Sequence, residues 1–194
     1  LTSDIPLIMI AQNAFAALDS FPLLAIPFFM LAGSLMSYGG ISRRLVVLAE
    51  ALVGAITGGL AMVTVMACMF FAAISGSGPA TVSAIGSFMI PAMKEKRYDH
   101  DFAAALTATA GSIGVIIPPS IPFVIYGVVS GVSVGEMFLS GIVPGILIGV
   151  GLMIASFFIA RKKGYPKAEV RPQVWPAFKD AFWALLVPVI ILGG

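Results

Sequence analysis

The sequence predicts an all-α integral membrane protein organised around a re-entrant helical hairpin and a discontinuous transmembrane helix. Three observations carry that expectation. Of 194 residues, 59% are hydrophobic and only 10% are charged, where soluble domains carry about 25% charge. The charges stand in clusters, and two of the neutral stretches between clusters have lengths that fit no whole number of ordinary spans. Both of those stretches are interrupted by Gly, Ser and Pro, the residues that break helices.

Composition also removes whole classes of function. With mean hydropathy at +1.05, the chain is far too apolar to be disordered. Eleven basic against nine acidic residues leave a net charge of +2, which provides no basic field for nucleic acid. Cys68, the single cysteine, allows neither an internal disulfide nor a thiolate metal cluster. No Walker-type phosphate loop is present, so ATP is not a direct energy source here. The neutral stretches hold no ionisable side chain, which argues against a proton relay or a charged channel ring. The chain opens at Leu1 without the basic region of a signal peptide. Its last apolar run, Ala181 to Gly194, rises only about 21 Å as helix against a ~30 Å hydrocarbon core. A segment of a longer, transporter-sized polypeptide is expected.

The elements follow from the charge spacing. Asp19 is read as a helix-start residue before Ser20-Phe21-Pro22, and residues 20–42 as one ordinary span. Ile41 to Ala55 mixes Arg43, Arg44 and Glu50 with Leu45, Leu48 and Leu52, the pattern of a helix lying along the membrane boundary. Glu50 to Lys94 encloses 43 neutral residues with basic clusters on both sides, so the chain must leave and return. Ser75-Gly76-Ser77-Gly78-Pro79 divides that stretch into limbs at 51–74 and 80–93. The second limb, as helix, rises about 21 Å and cannot cross a ~30 Å core. A hairpin that turns back within the membrane is expected.

Asp101 to Glu136 encloses 34 neutral residues, too many for one straight span and too few for two. Gly111-Ser112, Gly114 and Pro118-Pro119-Ser120-Ile121-Pro122 interrupt it, and proline drives itself and its predecessor out of helix. One crossing made of two half-helices, unwound over about 112–120, is expected. Residues 137–160 form an ordinary span, and 161–180 a polar loop with Pro166, Pro172 and Pro176. Trp175 and Trp183 are placed at headgroup level. The positive-inside rule then puts Arg43-Arg44, Lys94-Lys96-Arg97 and Arg161-Lys162-Lys163 in the cytoplasm, and the crossings alternate consistently between them.

Irregular backbone at membrane depth leaves N–H and C=O groups that cost several kcal/mol each unless satisfied. The two breaks are therefore the candidate site. The first hairpin limb ends near Ile74 with free carbonyls and a negative dipole end. The second begins after Ser77-Gly78, where Pro79 suits an early helical position and the helix N-terminus suits an anion. The broken span repeats the pairing, with carbonyls from about Thr109 to Gly114 and a helix starting near Ser120. Carbonyl and hydroxyl oxygens without carboxylates suit Na⁺ better than a divalent ion. The alternative for each Gly or Ser is close helix packing. His100 reads as a solvated interfacial residue, Cys68 as apolar filler, and Met62, Met66 and Met69 as packing groups at helical spacing.

At these residues the chain resembles the large membrane subunit, DctM-like, of tripartite ATP-independent periplasmic (TRAP) transporters. The resemblance runs in order through Leu18-Asp19-Ser20-Phe21-Pro22-Leu23-Leu24-Ala25-Ile26-Pro27, Ser75-Gly76-Ser77, Ile90-Pro91-Ala92-Met93, Phe102-Ala103-Ala104-Ala105-Leu106-Thr107-Ala108, Ile116-Ile117-Pro118-Pro119-Ser120-Ile121-Pro122 and Gly141-Ile142-Val143-Pro144-Gly145. After Ser-Gly-Ser, where many members carry another sequence, this chain has Gly78-Pro79-Ala80-Thr81. The resemblance implies half of an elevator-type secondary transporter that takes up organic acids with Na⁺ across the bacterial inner membrane, and it implies no enzymatic activity. It implies as partners a periplasmic substrate-binding protein and a small membrane (Q-type) subunit, separate or fused. It implies a scaffold span and arm helix over 1–55, transport-domain elements over 56–135 (hairpin 56–97, broken helix 102–135), and over 136–194 a transmembrane helix, a cytoplasmic loop and the start of another helix. Ser75, Gly76, Ser77, Gly111 and Gly114 are the implied Na⁺ residues, and Ser77, Gly78, Pro118, Pro119 and Ser120 the implied substrate residues. Competing expectations are a Na⁺-coupled carrier or antiporter sharing the hairpin architecture, and a membrane scaffold subunit that transports nothing.

Overall fold

A computed structural model of the chain describes residues 7–18, 21–167 and 173–193, and all regular structure among them is helical. Asp19 and Ser20, expected at a helix start, and Pro172 lie outside the described residues. Two helices, α1 (Leu7–Leu18) and α2 (Phe21–Tyr38), open the chain. The expected boundary helix is α3 (Ile41–Val53), which buries Ser42, Leu45, Leu48, Ala49 and Ala51 and exposes Arg43 and Arg44.

The hairpin is α4 (Gly59–Ser75) and α5 (Gly78–Glu95), of 17 and 18 residues. Both limbs differ from the expected lengths. The first is shorter because the chain breaks over Gly54–Gly58, where Gly58 takes left-handed backbone (φ 73°) and a Cβ on it would fall 2.1 Å from the Ala160 methyl. The second is longer because Ser77 caps it, Pro79 joins its first turn, and the helix continues through Lys94 and Glu95. The limbs rise about 26 and 27 Å, each a little under a ~30 Å core.

The discontinuous helix is present where the prolines and glycines place it. α6 (His100–Gly111) passes into a 3₁₀ turn at Ser112–Val115, then an irregular stretch with a cis Pro118-Pro119 bond, then α7 (Ile121–Ser130). α8 (Val134–Lys163) has 30 residues and is, among the described residues, the one helix long and apolar enough to cross a membrane alone. α9 (Val174–Gly193) has 20 residues. The expected polar loop at 161–180 is thus shorter, because α8 runs on to Gly164 and α9 starts before Lys179. Three features admit the charged start of α9. Pro176 falls in the first turn, where a missing N–H is harmless, the Ala177 N–H bonds the Gln173 carbonyl, and Asp180 faces Arg44 of α3 at 3.8 Å. Trp175 and Trp183 are both exposed on α9, about 12 Å apart along its axis.

A buried apolar core that includes Leu45, Phe71, Ile74, Ile85 and Met93 lies beneath a widely apolar exterior. α4 is the central helix, with residues buried around its whole circumference, and α2, α3, α5, α6, α8 and α9 all lie against it. α8 turns Gly141, Gly145 and Gly149 inward and leaves Leu139, Val143, Leu147, Ile154 and Phe158 outside. Small residues let helices approach where lipid removes any hydrophobic drive, and a water-soluble surface does not carry so large an apolar face. A Cβ on Gly141 would lie 2.5 Å from the Ile116 carbonyl oxygen, and one on Gly145 2.5 Å from Ile117. The α8 ridge is therefore the seat on which the unwound segment rests.

The helix ends beside Lys94–Arg97 and Arg161–Lys163 are closed by one device used twice. Arg97 (φ 62°) and Gly164 (φ 67°) adopt left-handed backbone. The next N–H groups, of Tyr98 and Tyr165, return to the carbonyls of Met93 and Ala160 at 3.0 Å, the helix-ending bond of a Schellman motif. The two tyrosine rings then stack with centroids 4.1 Å apart, and Lys163 pairs with Asp99. The Lys163 hydrogen bond, followed by one from Tyr165, holds the Asp99 carboxyl below its usual range, and Asp99 raises Lys163.

Two measurements test this architecture. In the full transporter, Gly141→Ala should lower the thermal-unfolding midpoint measurably, because a backbone carbonyl blocks the new methyl. Gly151→Ala, which meets nothing within 4 Å, should stay within about 0.5 kcal/mol of wild type. The Asp99 contribution is complete above its unfolded pKa of about 3.9 and disappears as pH falls through the lower folded value; that of Lys163 is complete below about 10.4 and disappears as pH rises through its raised value. Unfolding midpoints recorded from neutral pH to about pH 3 should therefore fall less steeply in Asp99→Asn than in wild type.

Candidate functional site: two facing chain breaks

The hairpin bend and the unwound segment meet through backbone. Gly76 ends α4 in left-handed conformation (φ 62°), and its carbonyl accepts the Ile121 N–H at 3.1 Å. A Cβ at Gly76 would sit 2.6 Å from the Pro119 oxygen, so both conformation and clearance require glycine. The other expected glycines close the same contact. A Cβ on Gly114 would fall 2.9 Å from Thr81 Oγ1 and 3.0 Å from the Ser77 oxygen, one on Gly111 2.2 Å from Val82, and one on Gly78 3.3 Å from Val115. From the opposite side, Gly33 of α2 approaches Ser75, where its Cβ would come within 3.3 Å.

Buried hydroxyls sit at this joint. Ser75, Thr81 and Ser120 are essentially fully buried. Ser75 Oγ lies 3.1 Å from Thr81 Oγ1, which donates to the Ser77 carbonyl at 2.8 Å. The Ser77 N–H donates to Ser75 Oγ at 3.4 Å. Ser120 Oγ donates to the Val115 carbonyl at 2.6 Å, holding the irregular segment onto the helix that follows it. Thr81 was not among the expected site residues, although its position four residues after Ser77 puts its hydroxyl over the carbonyl of the capping residue.

The two helix starts are built alike. Ser77-Gly78-Pro79 and Ser120-Ile121-Pro122 each begin with an extended serine (φ −134° and −128°) whose Oγ accepts the N–H three residues on, from Ala80 and Phe123. Many donors expected to be open are thereby engaged. At α7 the Ile121 N–H is given to Gly76, Pro122 has none, and the Phe123 N–H is given to Ser120. Only the dipole end, not a full set of free N–H groups, is offered there. Ser75, Gly76, Ser77, Gly78, Gly111, Gly114, Pro119 and Ser120 are thus brought into one joint, and Pro118 lies buried beside it. His100 is exposed at the start of α6, well away in the chain, and Cys68 is buried in the core of α4. Among the described residues no three His, Cys, Asp or Glu side chains gather as a metal-binding group.

A helical chain whose 30-residue apolar helix α8 turns glycines inward and large side chains outward, with two broken helices joined at their breaks, is a membrane-embedded protein of the discontinuous-helix kind. The family described as tripartite ATP-independent periplasmic transporter, DctM component, matches residues 1–194, and the chain belongs to that family. It is 55% identical over 195 residues to the isethionate TRAP transporter permease protein DctMQ of Oleidesulfovibrio alaskensis, covering 98% of this chain and 31% of the relative. It is 49% identical to the C4-dicarboxylate TRAP transporter large permease protein DctM of Vibrio cholerae (99% and 43% covered). The sialic acid TRAP transporter large permease protein SiaM of the same organism is 46% identical (100% and 46% covered). The chain therefore spans less than half the length of each of these relatives.

The joint predicts a graded response to substitution. Gly76→Ala carries a left-handed backbone penalty of about 1–2 kcal/mol and a clash with Pro119. Gly131→Ala, at φ 72° with nothing within 4 Å, carries only the first. Unfolding midpoints of the full transporter should fall further for Gly76→Ala than for Gly131→Ala, and the difference measures the docking contact.

Proposed function

We propose that the chain forms the first hairpin and broken helix of a Na⁺-coupled secondary transporter for organic anions. The observation that carries this reading is the bend at Gly76–Ser77 bonded to the unwound segment at Ile121. Two helix C-terminal ends, at Ser75 and Gly111, and two N-terminal ends, at Ser77 and Ser120, converge there around buried hydroxyls. Carbonyl ends and hydroxyl oxygens favour a monovalent cation, and the N-terminal dipole ends favour an anion beside it. Ser75, Ser77 and Thr81, with the carbonyls of the turn that Gly76, Gly111 and Gly114 keep compact, would hold Na⁺. Ser77, Gly78, Pro118, Pro119 and Ser120 would line part of the anion site.

The depth of the joint supports a hairpin that turns back inside the bilayer. α6 has 12 residues, so the break lies about 18 Å from its charged start, partway through a ~30 Å core. The relatives named for isethionate, C4-dicarboxylates and sialic acid share one chemical feature, a small organic anion, and that is the substrate class proposed here. By the same family membership, the anion would be delivered by a periplasmic substrate-binding protein, and a small Q-type subunit would accompany the permease, separate or fused. The hairpin, broken helix and α8 would move together past a scaffold containing α2 and α3, as in an elevator, in the bacterial inner membrane.

Uptake by the complete complex in liposomes tests the reading. It should require an inward Na⁺ gradient. Thr81→Val, which keeps the shape and removes the hydroxyl, should raise the Na⁺ concentration for half-maximal uptake by about tenfold, the loss of one charge-assisted contact. Uptake that persists at full rate on a proton gradient without Na⁺ would exclude it.

A further inference from the structure

A cavity of about 520 Å³ lies between the boundary helix α3 and the basic end of the hairpin. It is separate from the joint of the two breaks and within the roughly 300–1,000 Å³ of small-molecule sites. α3 and α5 both pack against α4 and leave this crevice between them. Its floor is apolar, formed by Leu60 at the start of α4 and by Phe88, Met89 and Ala92 of α5. Val46 and Val47 of α3 extend the apolar wall. Its rim carries Arg43 and Glu50, two helical turns apart on α3, and Glu95 and Lys96 at the end of α5.

That lining selects for one kind of ligand. An apolar floor opening to a charged rim at the end of membrane helices suits an amphiphile. Two cations and two carboxylates give this rim both signs of charge. They complement a headgroup carrying both signs. We propose that this crevice binds a phospholipid with a primary-ammonium zwitterionic headgroup, its phosphate held by Arg43, its ammonium by Glu50 and Glu95, and an acyl chain on the Phe88–Ala92 floor. A primary ammonium offers three N–H donors to the carboxylates, whereas a quaternary ammonium offers none. Burial raises the Glu50 carboxyl above its usual pKa, and a bound ammonium would offset that desolvation. Because α3 and α5 belong to different parts of the molecule in chain order, the lipid would act as a wedge between the boundary helix and the hairpin. This inference does not depend on Na⁺ coupling.

The full transporter, reconstituted in nanodiscs holding equal amounts of phosphatidylethanolamine, phosphatidylcholine and phosphatidylglycerol, is extracted in mild detergent and its retained lipids are measured by native mass spectrometry. Phosphatidylethanolamine should be retained over phosphatidylcholine by about fivefold or more, as expected for charge-assisted donors. Retention should fall stepwise as the ammonium is N-methylated, a series that needs no variant protein. Glu50→Gln with Glu95→Gln should abolish the preference, and Ala92→Trp, filling the floor, should lower retention of the favoured lipid. Equal retention of the ethanolamine and choline lipids, a preference for phosphatidylglycerol, no retained lipid because another part of the transporter fills the crevice, or an unchanged preference in the double variant would each overturn the proposal.

Discussion

The constraint on which the rest of this structure depends is that backbone polar groups at membrane depth must find partners inside the protein. Two helices are broken, and each break supplies what the other lacks. The Gly76 carbonyl, left over at the end of α4, takes the Ile121 N–H, left over at the start of α7. Serines at 77 and 120 answer the next orphan donors in each helix, and prolines at 79 and 122 remove a donor altogether. Neither break would be tolerable alone, so hairpin and broken span form one unit.

Close approach of the two breaks in turn dictates the packing around them. The bend can bond the unwound segment only because Gly76, Gly78, Gly111 and Gly114 carry no side chain there, and the segment can rest on α8 only over Gly141 and Gly145. The glycines expected as ion-site residues are thus closely packed as well. Packing, one of the two interpretations weighed from sequence, holds for these glycines: they bring the carbonyls of the two breaks together beside the buried hydroxyls of Ser75 and Thr81.

Much of this was legible in the amino-acid pattern. Charge spacing located α3 and α8, and Ser-Gly-Ser and Pro-Pro-Ser marked the bend and the break to within a residue or two, because glycine and proline act locally. What was misjudged depended on distant partners. The break at Gly54–Gly58 that shortens α4 is sealed by Ala160, more than a hundred positions away, and no local signal reveals that contact. The charged start of α9 read as loop because its compensation, Arg44 facing Asp180, lies on another helix. Thr81 was passed over for a different reason: an apolar helix often carries a threonine, and only the geometry of the serine cap distinguishes this one.

The paired tyrosines make α8 a measuring rod. Its glycine ridge sets the helix against the unwound segment at one end, and the Tyr98–Tyr165 stack fixes its far end to the base of the hairpin. A helix turns about 100° with each residue, so losing or gaining a single residue between Gly149 and Ala160 would swing Tyr165 out of register with Tyr98 while leaving composition and hydropathy almost untouched. Length here is held to the residue by rotational phase, a far stricter condition than the thickness of the bilayer imposes.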